Sequence, residues 1–433
     1  MTNSADSGPG PVRDWTLSWL SSDGRKLLLA RALRTFGYGY LAVVLAIYLQ
    51  TIGLSDFQIG AVLTAALVGS AVMNVFWSLQ ADRFGRRRTV AIMSVLMIVG
   101  GLLFAVTDNL WILVLASFSG TISATAADVG PFLTVEQAIL PQTAPAERRT
   151  SVFVVYDLLA SFAGAAGALF AGSVGLWGAL GLMGASAYKP LFVVYAAIGL
   201  LNLVLFNRLS DKVELAKVEG ERKFLGIHRS RGTVAKLSLL FSMDSFAGGL
   251  TVQSLVAYWF NLRWGLSTET LAVVFFWVNV FSGLSYLGVG PLSRRVGLLN
   301  TMVFTHLPSS ILLIMVPLAP SPELAITFFL LRMCLSQMDV PTRKSYTMAV
   351  VDEDERTATA GITNTVRTAA AAFAPLVTGA AFTVAALGVP FFASGAIKIV
   401  YDVLTYFTFK DVRPPEEEEL YRAKLERQAK AAA

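Results

Sequence analysis

Long apolar runs separated by short polar breaks recur along this 433-residue chain from Leu27 to Phe409. Residues 57–80 and 89–107 contain no Lys, Arg, Asp or Glu, yet the stretch ADRFGRRRTV at 81–90 sets Asp82, Arg83, Arg86, Arg87 and Arg88 between them. A helix needs about 20 mostly apolar residues to cross the hydrocarbon of a bilayer. The pattern predicts twelve such helices, over 27–50, 57–79, 89–107, 111–138, 151–175, 189–207, 235–260, 269–290, 300–318, 323–350, 358–385 and 388–409. Gly- and Ala-rich windows such as SFAGAAGALFAG favour helices over the short alternating strands of a membrane barrel. In that window Gly164, Ala168 and Gly172 fall four apart and predict a smooth strip for close helix packing. Pro375 predicts a bend in the eleventh helix.

Composition agrees with an all-α membrane protein: 55% of residues are hydrophobic and only 15% charged, against about a quarter charged in soluble domains. The net charge of +6 raises nucleic acid as a partner, but the placement of the basic residues removes it. Arg13, Arg25, Lys26, Arg83, Arg86, Arg87, Arg88, Arg148, Arg149, Arg294, Arg295 and Arg356 all fall on the side of the termini, and only Lys189 and Arg263 fall on the other. The positive-inside rule then makes both termini cytoplasmic. The expectation is a monomeric multi-pass protein of a bacterial inner (plasma) membrane, surrounded by lipid, with no cleavable signal core in residues 1–26.

Catalytic chemistry is not legible. Cys334 is alone, His228 and His306 have no ligand spacing, and no P-loop, HExxH or GxSxG pattern occurs. No enzyme, metal or cofactor is expected.

The chain repeats itself. GLS at 53–55 returns at 265–267, DRFG at 82–85 faces RRVG at 294–297, ERR at 147–149 faces ERT at 355–357, and GALFAG at 167–172 faces APLVTG at 374–379. Offsets near one value predict two parallel six-helix halves. The boundaries are a cytoplasmic lead at 1–26, a first bundle at 27–207, a linker at 208–234, a second bundle at 235–410 and a tail at 411–433.

The stretch SLQADRFGRRR resembles the major facilitator superfamily motif between helices two and three, with Asp82, Arg83, Gly85, Arg86 and Arg87 in the motif positions and Ser78 where the family has Gly. The resemblance implies a secondary active transporter working by alternating access, in which two halves rock about a solute held between them. It also implies that Asp82 latches onto the cytoplasmic start of the eleventh helix in the outward-facing state, where free N–H groups favour a carboxylate. Arg295 and Gly297 are the second-half counterparts, and DEDERT offers Asp352, Glu353, Asp354 and Glu355 as acidic partners to the basic hairpin, with Arg356 beside them as a further gating candidate.

Ionisable side chains inside a span cost several kcal/mol, about 2.5–3.5 on insertion scales, so each needs a cavity or a partner. Candidates for solute or proton binding are Arg34 and Tyr38 on the first span, Asp128 and Glu136 on the fourth, Asp157 on the fifth, Asp244 on the seventh, Arg332 and Asp339 on the tenth and Arg367 on the eleventh. The repeat pairs Arg34 with Asp244 and Asp157 with Arg367, so each couple is expected to meet across the cavity, while Asp339 neutralises Arg343 and Lys398 snorkels. Asp128 is the expected proton site. Proton antiport exporting a small organic solute is the expected function. The alternatives are uptake or facilitated passage of an anionic metabolite, with Arg34, Arg332 and Arg367 as ligands, and a non-transporting receptor of the same fold.

Overall fold

The computed structural model describes residues 17–126, 130–145, 148–214, 229–352 and 355–412, and their regular structure is helical throughout. Asp128, Glu353, Asp354 and the side chain of Asp82 lie outside the described residues. The first half holds α1 (Ser22–Thr51), α2 (Asp56–Phe84), α3 (Arg86–Val106), α4 (Leu110–Phe118), α5 (Pro131–Ile139), α6 (Arg149–Phe170), α7 (Val174–Ala179) and α8 (Lys189–Asn207). The second holds α9 (Arg231–Leu250), α10 (Gln253–Trp264), α11 (Thr268–Val296), α12 (Leu298–Met315), α13 (Pro322–Ser336), α14 (Asp339–Ala349), α15 (Arg356–Ala372), α16 (Ala374–Thr383) and α17 (Val389–Phe409). Ten segments of the described residues are long and apolar enough to cross a membrane. The other two expected spans are the broken α4–α5 pair and α17, which carries Lys398 and Asp402.

The repeated motifs are repeated turn chemistry. Ser55 caps α2, its hydroxyl accepting the Gln58 N–H at 3.4 Å while Gln58 accepts the Ser55 N–H at 2.9 Å. Ser267 caps α11 in the same way, accepting the Thr270 N–H at 3.3 Å. Gly85 and Gly297 form the turns into α3 and α12 at φ 99° and 87°, conformations that a Cβ disfavours. Packing repeats as well: α1 lies on α6 as α9 lies on α15, α3 on α8 as α12 on α17, and α2 on α4 as α11 on α13. Close crossing explains the small residues of α1 and α6, because a Cβ on Gly167 would overlap the carbonyl of Phe36 and one on Gly39 that of Gly164.

The expected fourth, seventh, tenth and eleventh spans are each divided into two helices, and proline accounts for two of the breaks. Pro375 has no N–H and sits at the second position of α16, so the eleventh span divides after Ala372. The fourth span differs more from expectation. It is two short helices, because Pro131 forces Gly130 into extended backbone (ψ 178°) and the Ser/Thr-rich stretch before it bonds locally. The Ser123 hydroxyl donates to the Thr125 carbonyl at 2.7 Å, and the Ser254 N–H and hydroxyl donate to the Ala124 carbonyl at 3.2 and 3.1 Å. Tyr195 likewise donates to the Thr121 carbonyl. Non-helical backbone at membrane depth survives because protein groups satisfy it.

Candidate functional site

The two halves meet on the face opposite the termini. There α2 packs against α15 and α16, and α6 against α11, contacts that the repeat relates to each other. Tyr258 donates to Asp56 Oδ1 at 2.5 Å, and the Tyr188 and Thr268 hydroxyls lie 3.1 Å apart. A Cβ on Gly379 would come within 2.5 Å of the Asp56 carbonyl oxygen, and one on Gly60 within 2.6 Å of that of Pro375, so backbone meets backbone across the seam. One continuous apolar core runs through this region, joining Val44 and Tyr48 of α1 and Leu63 of α2 to Trp259 and Phe260 of α10 and Phe275 of α11.

Toward the terminal face that core splits. Leu27, Phe132, Tyr156 and Phe206 cluster within the first half, and Leu237, Phe241, Met302 and Tyr401 within the second. Among the described side chains, hydrogen bonds and ion pairs on this face stay within one half. Between the halves, Asp157 of α6 and Lys344 of α14 are exposed yet within electrostatic reach of each other. Arg367 of α15, half-buried, donates from Nε to the Ser245 hydroxyl at 3.0 Å.

Each half encloses its own charges. In the first, Arg34 grips Glu136 through two bonds of 2.9 and 2.7 Å, both side chains fully buried, while the Tyr156 hydroxyl donates to Glu136 Oε2 at 2.5 Å. The Arg34 guanidinium stacks 4.3 Å from the centre of the Phe132 ring. In the second, Asp244 accepts from Arg343 at 2.9 Å and from Lys398 at 2.5 Å, and Arg343 also donates to Asp339 at 2.8 Å. His306 presents Nδ1 to both oxygens of Asp402 at 2.9 and 3.1 Å and Nε2 to Asp244 at 3.6 Å. Arg332 is buried, and its Nε has no hydrogen-bond partner among the described residues. The repeat carries the Arg34–Glu136 contact onto Asp244–Arg343 with acid and base exchanged.

Several expected pairings fall elsewhere. Arg34 and Asp244 do not meet, because each finds a closer partner in its own half. Asp157 and Arg367 form no ion pair with each other among the described groups, since the gap separates them. Tyr38 is buried with its ring 6.2 Å from that of Tyr195, and Arg31, also buried on α1, lies over the Tyr156 ring at 4.5 Å. Lys398 turns inward to Asp244 instead of snorkelling. His306 and Asp402 were missed, although titratable residues inside apolar runs are signals in themselves.

On the terminal face, Arg83 and Arg295 are exposed and the basic hairpin is held by the end of its own half. The Glu214 carboxylate accepts the N–H groups of Arg86 and Arg87 at 2.7 and 3.1 Å, capping α3, and Arg87 also reaches Asp211 at 3.2 Å. Glu355 accepts the N–H groups of Arg229 and Ser230 at 2.7 and 2.9 Å, and Arg356 donates to the Met348 carbonyl at 2.8 Å. These bonds of Glu355 and Arg356 lie within the second half. Glu214→Ala is expected to lower stability by about 0.5–2 kcal/mol through loss of the cap, read as a lower thermal midpoint of purified protein.

Comparison with known proteins matches this architecture. Residues 27–375 fit the model of the Major Facilitator Superfamily. The uncharacterized membrane protein YJR124C of Saccharomyces cerevisiae is 25% identical over 421 residues, covering 89% of this chain and 94% of its own. Among solved structures, the nucleoside transporter NupG superposes with a TM-score of 0.71 at 12% identity, covering 90% of this chain and 99% of its own. A bacterial homolog of the human lysosomal transporter Spinster, inward-facing and unoccupied, gives 0.69 at 16% identity, covering 90% and 98%. The D-xylose-proton symporter gives 0.67 at 15%, covering 88% and 97%. Helical halves related by a repeat, a sealed far face and the matched family model lead to one assignment: the chain belongs to the Major Facilitator Superfamily and is a transporter, not an enzyme.

Proposed function

We propose that the chain is a secondary active carrier that moves a small organic solute by alternating access, and that the state described is inward-facing with both termini in the cytoplasm. The observation that carries this reading is the core, continuous across the halves on the far face and divided on the terminal face. A carrier must hold two nearly balanced arrangements of rigid halves, and a seam confined to one face suits one of them.

Proton coupling is part of the reading, because buried carboxylates on rocking helices change their surroundings as the halves move. An anionic solute is favoured within it. Arg34 is committed to Glu136, whereas Arg332 and Arg367 have no carboxylate bonded to them among the described residues. An anion lodged near these two arginines would offset their charge.

The test is counterflow in proteoliposomes, with labelled carboxylates, phosphate esters, nucleosides and sugars, with and without an imposed pH gradient. The expected result is counterflow of an anionic solute whose rate follows the gradient. Solute leaving in exchange for protons would establish export by antiport. Absence of counterflow for all four classes would leave the receptor alternative.

A further inference from the structure

We infer that His306 is the site that binds the coupling proton, clamped between Asp402 and Asp244; this rests on the proton-coupled reading above. His306 lies in α12 and is 2% exposed. Its Nδ1 is in hydrogen-bond contact with Asp402 on α17, and its Nε2 faces Asp244 on α9 at 3.6 Å. A neutral imidazole offers one N–H and one lone pair, whereas imidazolium offers an N–H on each side. A ring with a carboxylate at both nitrogens is therefore built for the protonated form.

The surrounding charges agree. From α17 the ring meets Asp402 and the edge of Tyr401 at 5.8 Å between centroids, with Lys398 bound to Asp244 behind it. From α14 come Arg343 and Asp339, bonded to each other, Arg343 also to Asp244. Arg332 on α13 and Arg367 on α15 are within electrostatic reach of Asp244, and Tyr286 on α11 is within reach of Asp339. In the bonded network, three carboxylates (Asp244, Asp339, Asp402) face two fixed cations (Arg343, Lys398), which leaves one negative charge. A proton on His306 cancels it. Arg332 and Arg367 stand outside that network and are left for the solute. Among the described residues of the first half, the Arg34–Glu136 pair is itself balanced in charge.

The step is proton binding alone: a proton from water adds to the free ring nitrogen, and it returns to water when the swing of the halves changes the side of the membrane from which the site is reached. The network reaches from Asp402 through His306, Asp244 and Arg343 to Asp339, so it links α17, α12, α9 and α14.

The chain has two histidines, so His228→Gln leaves His306 as the sole imidazole. The experiment follows the ring nitrogens of 15N-histidine-labelled H228Q protein in nanodiscs by NMR from pH 5 to 9. In parallel, maleimide labelling of Ala272→Cys, in a Cys334→Ser background, reports opening of the far face. The ring is expected to change protonation state within this range, with the labelling rate changing about five-fold or more at the same midpoint. His306→Gln is expected to make labelling independent of pH. Asp402→Asn keeps the ring, removes its carboxylate and is expected to displace the midpoint by about one pH unit or more. A ring locked in one state across the range, or a wild-type pH response in H306Q, overturns the inference. Titration of His306 without any solute counterflow would instead spare this site and remove the carrier reading.

Discussion

Arg34→Met is expected to destabilise the protein by about 3–5 kcal/mol, the cost of leaving Glu136 charged and unpaired where neither side chain has solvent access. Glu136→Met is expected to cost a similar amount by stranding the guanidinium. The double variant R34M/E136M removes both charges and is expected to recover most of the loss, short of about 1–3 kcal/mol for the Tyr156 hydroxyl, which donates to Glu136. The charge-exchanged variant R34D/E136R reproduces in the first half the polarity of Asp244–Arg343 and is expected to fold. Thermal unfolding followed by tryptophan fluorescence measures all four. Losses in the double variant equal to the sum of the two single losses would show that the pair is not coupled.

Gly379→Leu is expected to disfavour the inward-facing state. A single Cβ at this position already falls within 2.5 Å of the Asp56 carbonyl oxygen, and backbone cannot yield as a flexible side chain can. The overpacking cost of about 1–3 kcal/mol is paid only while the seam is closed. Separating the halves on that face removes it, so the population moves toward the outward-facing state by about five-fold to a hundred-fold. Each bundle keeps its own core toward the terminal face, which is why the variant is expected to fold. Maleimide labelling of A272C, a site buried on the seam near Gly172, is expected to accelerate correspondingly.

Most of the scaffold was legible because a span is an apolar run and a turn is a short chemical word. Ser55 and Ser267 cap helices, and Gly85 and Gly297 turn corners, so the words recur where the fold recurs. The fourth span was expected as one helix although Pro131 and the Ser/Thr-rich stretch before it, SGTISATAADVG, carry the signal for a break. What the sequence does not state is which partners, Ser123, Tyr195 and Ser254, take over the freed backbone groups. The charged residues were found, but not their couplings. A repeat states which helices correspond, yet a pair forms only where depth and rotation also agree, and Arg34 met Glu136 before it could meet Asp244. The exchanged pair was within reach of sequence, since Glu136 and Arg343 stand at almost the same offset as Arg34 and Asp244. The expected proton site Asp128, like Asp82's side chain, lies outside the described residues.

The central claim is that the halves swing as rigid bodies, closing one face as the other opens. Spin labels at exposed Arg83 and Arg295 report the terminal face, and labels at exposed Gln50 and Arg263 report the far face, each pair in a C334S background. Double electron–electron resonance on the parent protein and on G379L is the most direct measurement. The 83–295 distance is predicted to shorten in G379L while the 50–263 distance lengthens. Distances that both grow, or that stay as in the parent while A272C becomes accessible, would contradict a rocking carrier.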